Sequence, residues 1–235
     1  MELKFLDDVD VDLVQCLASD EMVVRAARIS TKSESVTETE PGKTAGMINF
    51  LMKNRHGTPF EHNMFTFRIK APIFVFREFH RHRIGWSYNE MSGRYTELPA
   101  EFYVPNVYRP LVQEGKPGAY VFVEGTSEQV HGTRAILEIS YADSWHCYQQ
   151  QLEQGVAKEI ARAVLPVGIM SQMYATCNSR SLMAFLSLRT KDETSTFPSY
   201  PMQEIEMVAR KMEAFFEEKM PLTHASFQKN GRVSP

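Results

Sequence analysis

Residues 65–95, FTFRIKAPIFVFREFHRHRIGWSYNEMSGRY, carry the decisive signals of this chain. Phe65, Phe67 and Ile69 alternate with Thr66, Arg68 and Lys70, and a period of two marks a strand with one buried face. Pro72 suits the first turn of a helix, where a missing N–H costs nothing. The spacing then predicts a helix from Ile73 to about Arg83, ended by Gly85. The second half of the stretch is basic. From Arg77 to Tyr95 it holds Arg77, Arg81, Arg83 and Arg94 with His80 and His82, against two acids, Glu78 and Glu90. A helix over 73–83 puts this knot on its last turn and the loop beyond, where cations already suit the helix dipole. Capping therefore accounts for part of the charge. The remainder suits an anion joined to a planar heterocycle. Arginine offers a rigid fork for phosphate or carbonyl oxygens, and the small residues Ser92 and Gly93 let backbone N–H groups close around a phosphate.

Outward from this stretch, helices outnumber strands. Ser19–Asp20 before VVRAARI reads as a helix start, 33–42 as a polar loop, and Thr44–Asn54 as a second helix with Met47, Ile48, Leu51 and Met52 on one face, stopped by Gly57. Downstream, Glu101–Pro105 reads as a short strand and Val107–Gly125 as a loop. Thr126–Gln154 is the longest helical pattern, with Val130, Ile136, Leu137, Tyr141 and Tyr148 near one face and Gly155 at its end. A short helix over Lys158–Leu165 stops before Pro166. Then follow a strand over Ile169–Cys177, a helix over Ser181–Leu188, a loop over Lys191–Pro201, an amphipathic helix over Met202–Lys219 and a helical tail after Pro221. The strands are not regularly interleaved with helices, which gives an α+β class.

The totals bound the function. With 43% hydrophobic and 23% charged residues the chain is ordinary for a soluble globular protein. A net charge of −3 argues against a general nucleic-acid surface, so any anion site is local. The N-terminal MELKFLDDVDVDL is acidic and has no signal-peptide core, and no run reaches the ~20 apolar residues of a membrane span. Three isolated cysteines, Cys16, Cys147 and Cys177, predict a reducing compartment, the cytoplasm, with neither disulfides nor a zinc ribbon. His80 and His82 stand two apart, a poor spacing for a chelate on a helix, so no metal is expected. Phe65, Phe67, Phe74, Phe76 and Phe79 read as core.

Arg81-His82-Arg83 followed by Ser92 resembles the RHR-x7-S motif of the flavin-dependent thymidylate synthases. Five further blocks resemble that family in its own order: Ala26–Ser30 (AARIS), His56–His62 (HGTPFEH), Ser87–Tyr95 (SYNEMSGRY), Ile160–Pro166 (IARAVLP) and Asn178–Arg189 (NSRSLMAFLSLR). The chain departs from the family in having eight residues, Ile84–Met91, between Arg83 and Ser92, with Trp86 as the extra one. Ala184 stands where many members carry an asparagine, and Tyr200 where many carry a histidine.

The resemblance implies one domain over residues 1–235, with a central mixed or antiparallel sheet flanked by helices and a helical appendage. It implies reductive methylation of dUMP to dTMP, with 5,10-methylenetetrahydrofolate giving the carbon, FAD carrying electrons and NADPH reducing FAD. It implies a homotetramer acting on small molecules, not on nucleic acid or membrane. Carried over by position, the dUMP contacts are Glu78, Phe79, His80, Arg81, Glu90, Met91, Ser92, Gly93, Arg94, Arg162 and Arg189. The FAD contacts are Thr58, Arg81, His82, Arg83, Glu90, Asn178, Ser179 and Arg180, with His56 near flavin and folate. Arg189 is the catalytic group, a fixed cation against the uracil N3 and carbonyl edge. Cys177, in an apolar strand pattern with no base beside it, reads as inert. No GxGxxG follows a strand, so the flavin is not held by a Rossmann loop. Two other readings are a single-strand nucleic-acid binder stacking bases on Trp86 and Tyr88, and a zinc deaminase, for which the P-C-x-x-C ligands are missing.

Overall fold

The alternation at 65–69 becomes a strand whose odd positions are sealed from water. Phe65, Phe67 and Ile69 are all fully buried, while Thr66, Arg68 and Lys70 stay partly exposed. The structure, a computed structural model, describes residues 2–32, 41–116 and 119–235. In chain order the elements are β1 (Lys4–Leu6), β2 (Asp10–Leu17), α1 (Asp20–Lys32), α2 (Pro41–Lys53), β3 (Met64–Pro72), α3 (Ile73–Phe79), β4 (Trp86–Glu90), β5 (Glu101–Tyr103), β6 (Val112–Lys116) and β7 (Ala119–Val123). They continue with α4 (Ser127–Glu153), α5 (Lys158–Ala161), β8 (Met170–Cys177), α6 (Ser179–Arg189), α7 (Gln203–Lys219) and α8 (Pro221–Lys229). The class is the expected α+β.

The chain divides into two compact units. The first comprises Met1–Asp10, Lys70–Phe79 and Glu90–Met173. In it β1 runs parallel to β5, with Phe5 opposite Phe102, and Phe102 also bridges antiparallel to Ile169. The core is aromatic: the Phe102 ring stacks on Tyr141 at 4.9 Å, and Trp145 lies 5.2 Å from Tyr148. These three partners come from one face of α4, whose start is fixed by a capping box. Gln129 N donates to Thr126 Oγ1, and the Gln129 side chain accepts from Thr126 N.

The second unit comprises Val11–Ile69, His80–Asn89 and Tyr174–Pro235. A four-stranded sheet has the order β2-β3-β8-β4. All of β2 but its first residue belongs to this unit, as do residues 64–69, 86–89 and 174–177 of the other three strands. Phe65 meets Phe216 of α7 edge-on at 6.1 Å. Asp20, at the start of α1, accepts from the N–H groups of Leu222 and Thr223 and from the Thr223 hydroxyl. One buried carboxylate thus satisfies the orphan donors of α8.

Several sequence expectations are corrected. Helix α3 stops at Phe79, not near Arg83. A longer helix would set Arg77 over Arg81, a like-charge pair at i,i+4 that destabilises a helix. Trp86, the extra residue, is the first residue of β4. In the turn before it Trp86 N donates to Arg83 O and Gly85 has φ 71°. Helix α2 begins at Pro41, so 41–42 are not loop, and the rest of the expected loop, 33–40, lies outside the described residues. Gly57 does not stop α2. The left-handed position there is Arg55, φ 62°, with Arg55 N on Met52 O and His56 N on Leu51 O, the two bonds of a Schellman ending. The expected loop over 107–125 contains the antiparallel hairpin β6–β7, with Val112 opposite Val123. Ile136 is 70% exposed, off the buried face of α4.

Candidate active site

Residues 80–86 of the second unit, leaving α3 for β4, form one side of a cavity of about 850 Å³. From this stretch Arg81, His82, Arg83, Ile84, Gly85 and Trp86 line it. The start of α6 supplies Asn178, Arg180, Ser181 and Ala184, and Arg55, Glu61, Ser234 and Pro235 complete the wall. Of the residues expected to hold FAD, the structure therefore brings together Arg81, His82, Arg83, Asn178 and Arg180. Thr58 and His56 lie on the chain before β3 and do not line the cavity. The His56 ring stands edge-on to Phe50 at 5.8 Å. Ser179 is fully buried with its hydroxyl donating to Phe60 O at 2.6 Å, and it does not line the cavity.

Each wall residue is fixed by local bonds. Asn178 is the N-cap of α6, its Oδ1 accepting from Ser181 N at 2.8 Å. The Ser181 hydroxyl donates to Ile84 O at 2.8 Å, which pins the turn to the helix. A Cβ on Gly85 would run into that hydroxyl and reach Asn178 Nδ2 at 2.9 Å, so this turn needs glycine for space as well as for φ. Arg180 is held by Glu61 at 2.5 Å and by Pro235 O at 2.6 Å. Trp86 stacks on Tyr88 (5.7 Å, 9° between planes) and leans on Phe185 at 5.5 Å, giving the cavity one flat apolar face.

His82 is the pivot. Its ring packs on Phe185 at 4.9 Å, and its Nε2 accepts from Arg189 Nε at 3.0 Å. An accepting Nε2 places the proton on Nδ1. Burial, and then the Arg189 charge, lower the His82 pKa to about 4, so the imidazole is neutral at pH 7. His80 turns elsewhere, its ring 5.2 Å from Tyr88. Cys177 is buried, and burial pushes its thiol well up, so no thiolate is available there.

The remaining expected dUMP contacts lie in the first unit. Glu90 accepts from the Ser171 hydroxyl at 3.0 Å and Met91 N donates to Gln172 O at 2.9 Å. Ser92 O accepts from Tyr95 N and Thr96 N, and its hydroxyl from Arg94 N. Gly93 is packed under the Arg162 stem, where a Cβ would come within 3.2 Å of Cδ. Arg94 pairs with Glu159 at 2.8 Å on an exposed surface. Glu78 is partly exposed in the last turn of α3, whereas Phe79 is fully buried, so its side chain is core and contacts no ligand.

The chemistry of the cavity wall suits a phosphate-bearing flavin. Arg55, Arg81, Arg83 and Arg180 face one acid, Glu61, so the wall is strongly cationic. That is what a pyrophosphate needs where no glycine loop exists. The volume is within the usual range for cofactor sites, and Trp86 offers a ring-sized apolar plane. Among the described residues there is no group of three or more metal-ligating side chains.

The chain matches the family model for thymidylate synthase complementing protein over residues 12–222. The chain is 58% identical over 234 residues to a flavin-dependent thymidylate synthase from Streptomyces avermitilis, covering 98% of this chain and 95% of that one. It is 55% identical over 237 residues to one from Streptomyces coelicolor, covering 100% and 96%. The crystal structure of a UMP/dUMP methylase PolB from Streptomyces cacaoi bound with 5-Br dUMP superposes with a TM-score of 0.94 at 48% identity, covering 99% of this chain and 100% of that one. The chain belongs to the flavin-dependent thymidylate synthase family.

Some wall residues escaped the sequence reading. Arg55, Ser234 and Pro235 carry no motif, and nothing in their spacing marks them. Trp86 was visible, but as an insertion and not as a wall.

Proposed function

We propose that the chain catalyses reductive methylation of dUMP to dTMP, with 5,10-methylenetetrahydrofolate as carbon donor, FAD as bound cofactor and NADPH as reductant. In this reading residues 1–235 act as one catalytic domain in a cytoplasmic homotetramer. The observation that carries the proposal is the cationic cavity whose wall residue His82 holds Arg189.

Uracil carbon 5 is a weak nucleophile, and the buried Cys177 cannot activate it as a thiolate. Arg189 instead presents a fixed positive charge to the N3 and carbonyl edge. Negative charge spreading onto that edge is stabilised, and carbon 5 gains electron density. An arginine does not act as a base at neutral pH, so its role is electrostatic. Neutral His82 serves as an acceptor that orients Arg189 without repelling it. Bound FAD supplies the reducing electrons, and Arg81, Arg83 and Arg180 hold its phosphates. Arg81, Arg94 and Arg162, with the Ser92 and Gly93 N–H groups, are assigned to the dUMP phosphate, and Glu78, His80, Glu90 and Met91 to its sugar and base. Trp86 and Tyr88 are stacked on each other, which disfavours their use as separate base platforms for a nucleic-acid strand. The likeness to a UMP/dUMP methylase supports a second substrate, UMP.

The test is the visible spectrum of the purified protein, followed by dTMP assay with dUMP, methylenetetrahydrofolate and NADPH, and a parallel assay with UMP. Flavin bands and dTMP are expected. A protein that stays colourless with FAD and forms no dTMP overturns the reading. Sizing of the active species is expected near four times 27.0 kDa, and an active monomer would remove the tetramer from it.

A further inference from the structure

The last residues of the chain are held by a set of specific bonds. Helix α8 ends in a second Schellman turn, with Gly231 N on Gln228 O and Arg232 N on Phe227 O. Gly231 and Arg232 both have positive φ, 71° and 56°. A left-handed arginine is costly, yet its side chain is 1% exposed as a residue and bonded at both ends of its fork. Arg232 donates to Glu213 at 2.6 Å and to the Thr190 hydroxyl at 2.7 Å. Thr190 is the C-cap of α6, next to Arg189, and its hydroxyl in turn donates to Leu186 O at 2.6 Å. At the other end of α6, Ser234 Oγ donates to Arg180 O at 2.9 Å and Pro235 O accepts from Arg180 Nε at 2.6 Å. Helix α6 is about 16 Å long. Four residues reach at most about 14 Å, and the Arg232 side chain covers the rest.

We infer that Arg232–Pro235 is a strap belonging to the cofactor cradle: it grips α6 at both ends, aims Arg180 into the cavity and itself forms part of the wall. The inference rests on the reading of that cavity as the flavin site. Gly57 is its counterpart on the opposite side. Its backbone, φ −75° and ψ −34°, is one any residue adopts, but a Cβ there would lie 2.5 Å from Arg180 Nε and 2.9 Å from Pro235 O. Glycine is required at 57 by the Arg180–Pro235 bond and not by a turn. Ser234 and Pro235 are binding residues of the cradle, and Arg232 is a positioning residue.

The test compares FAD affinity and apo-protein melting in five proteins: the parent, a chain ended after Val233, Gly57→Ala, those two changes combined, and Arg180→Ala. Loss of a charge-assisted bond predicts about tenfold weaker FAD binding in the shortened chain and in Gly57→Ala. Their apo melting is expected to stay near the parent's. In the shortened chain, Gly57→Ala is expected to add little further loss, because both changes break one contact. Arg180→Ala with unchanged affinity would mean the cavity does not hold the flavin, which overturns the site reading. Weaker binding in Arg180→Ala, with parental affinity in both strap variants, overturns the strap alone. So does a lower melting temperature in those variants without a change in FAD affinity.

Discussion

Two sets of arginines in the second unit meet opposite fates. Arg55, Arg81 and Arg83 stand exposed around the cavity, and among the described residues none of them has a carboxylate partner. Arg232 is withdrawn from water and bonded to Glu213, itself tied to His224 at 3.1 Å. Burial pushes the Glu213 carboxyl up, but hydrogen bonds from His224 and Arg232 outweigh it and hold the pKa at about 2. The same side chain thus does two jobs. A hydrated guanidinium costs folding little and is available to an incoming anion. A desolvated one must be neutralised inside the fold, and in return it fixes direction. Removing the first kind is expected to cost binding, and removing the second to cost stability.

The widest separation between the two is predicted for Arg232. Arg232→Met takes the shortest ion pair from buried Glu213 and leaves it His224 and Arg210 as partners, and a loss of about 3 kcal/mol in denaturant unfolding is expected. Pairing it with Glu213→Leu should restore most of that. A double variant as unstable as the single one would show that the pair is not an isolated charge couple. Arg189 lies between the two classes, half-buried and bonded to neutral His82. Arg189→Ala is expected to lower dTMP formation by about 100–1,000-fold while flavin binding persists, and retained turnover would remove it from the chemistry. The third effect is one of pH. His82 is neutral in the fold and has its ordinary pKa of 6.5 when unfolded. The unfolded chain therefore takes up a proton first as pH falls. The stability that His82 contributes is whole above 6.5 and is lost as pH drops towards about 4. His82→Gln should flatten that part of the stability–pH curve, and an unaltered curve would assign the dependence to another group. The smallest effect is expected at Arg94–Glu159, where the side chains are 53% and 48% exposed. Glu159→Gln should move stability by no more than about 0.5 kcal/mol, and a loss of several times that would mean the pair is not the solvated contact it looks.

Legibility in the sequence followed burial. Strand β3 was readable because its inward residues are large and its outward ones polar, and α4 because its cap and its glycine stop are both local signals. Strands β1, β2 and β4 were not read. They are short or half-exposed, and DVDLVQCL and WSYNE bury too few large side chains to show a clear period. The hairpin β6–β7 hid in a stretch punctuated by proline and glycine. At the site, Arg81, His82, Arg83, Asn178 and Arg180 were legible because they sit in family-like blocks. Gly57 was seen, but for the wrong reason, since glycine at a helix end and glycine beneath a side chain look alike in one dimension. Arg55 and the Arg232–Pro235 strap were illegible, because their roles depend on which distant segments the fold brings together.

The stacked indole in the cavity wall has one more use. The chain has only two tryptophans; Trp145 is packed in the aromatic core of the first unit, and Trp86 faces the space assigned to the cofactor. Tryptophan emission should therefore fall when a flavin enters and recover when it leaves. Trp86→Phe should abolish most of that change, which would give the protein an internal optical gauge of cofactor occupancy that needs no substrate and no turnover.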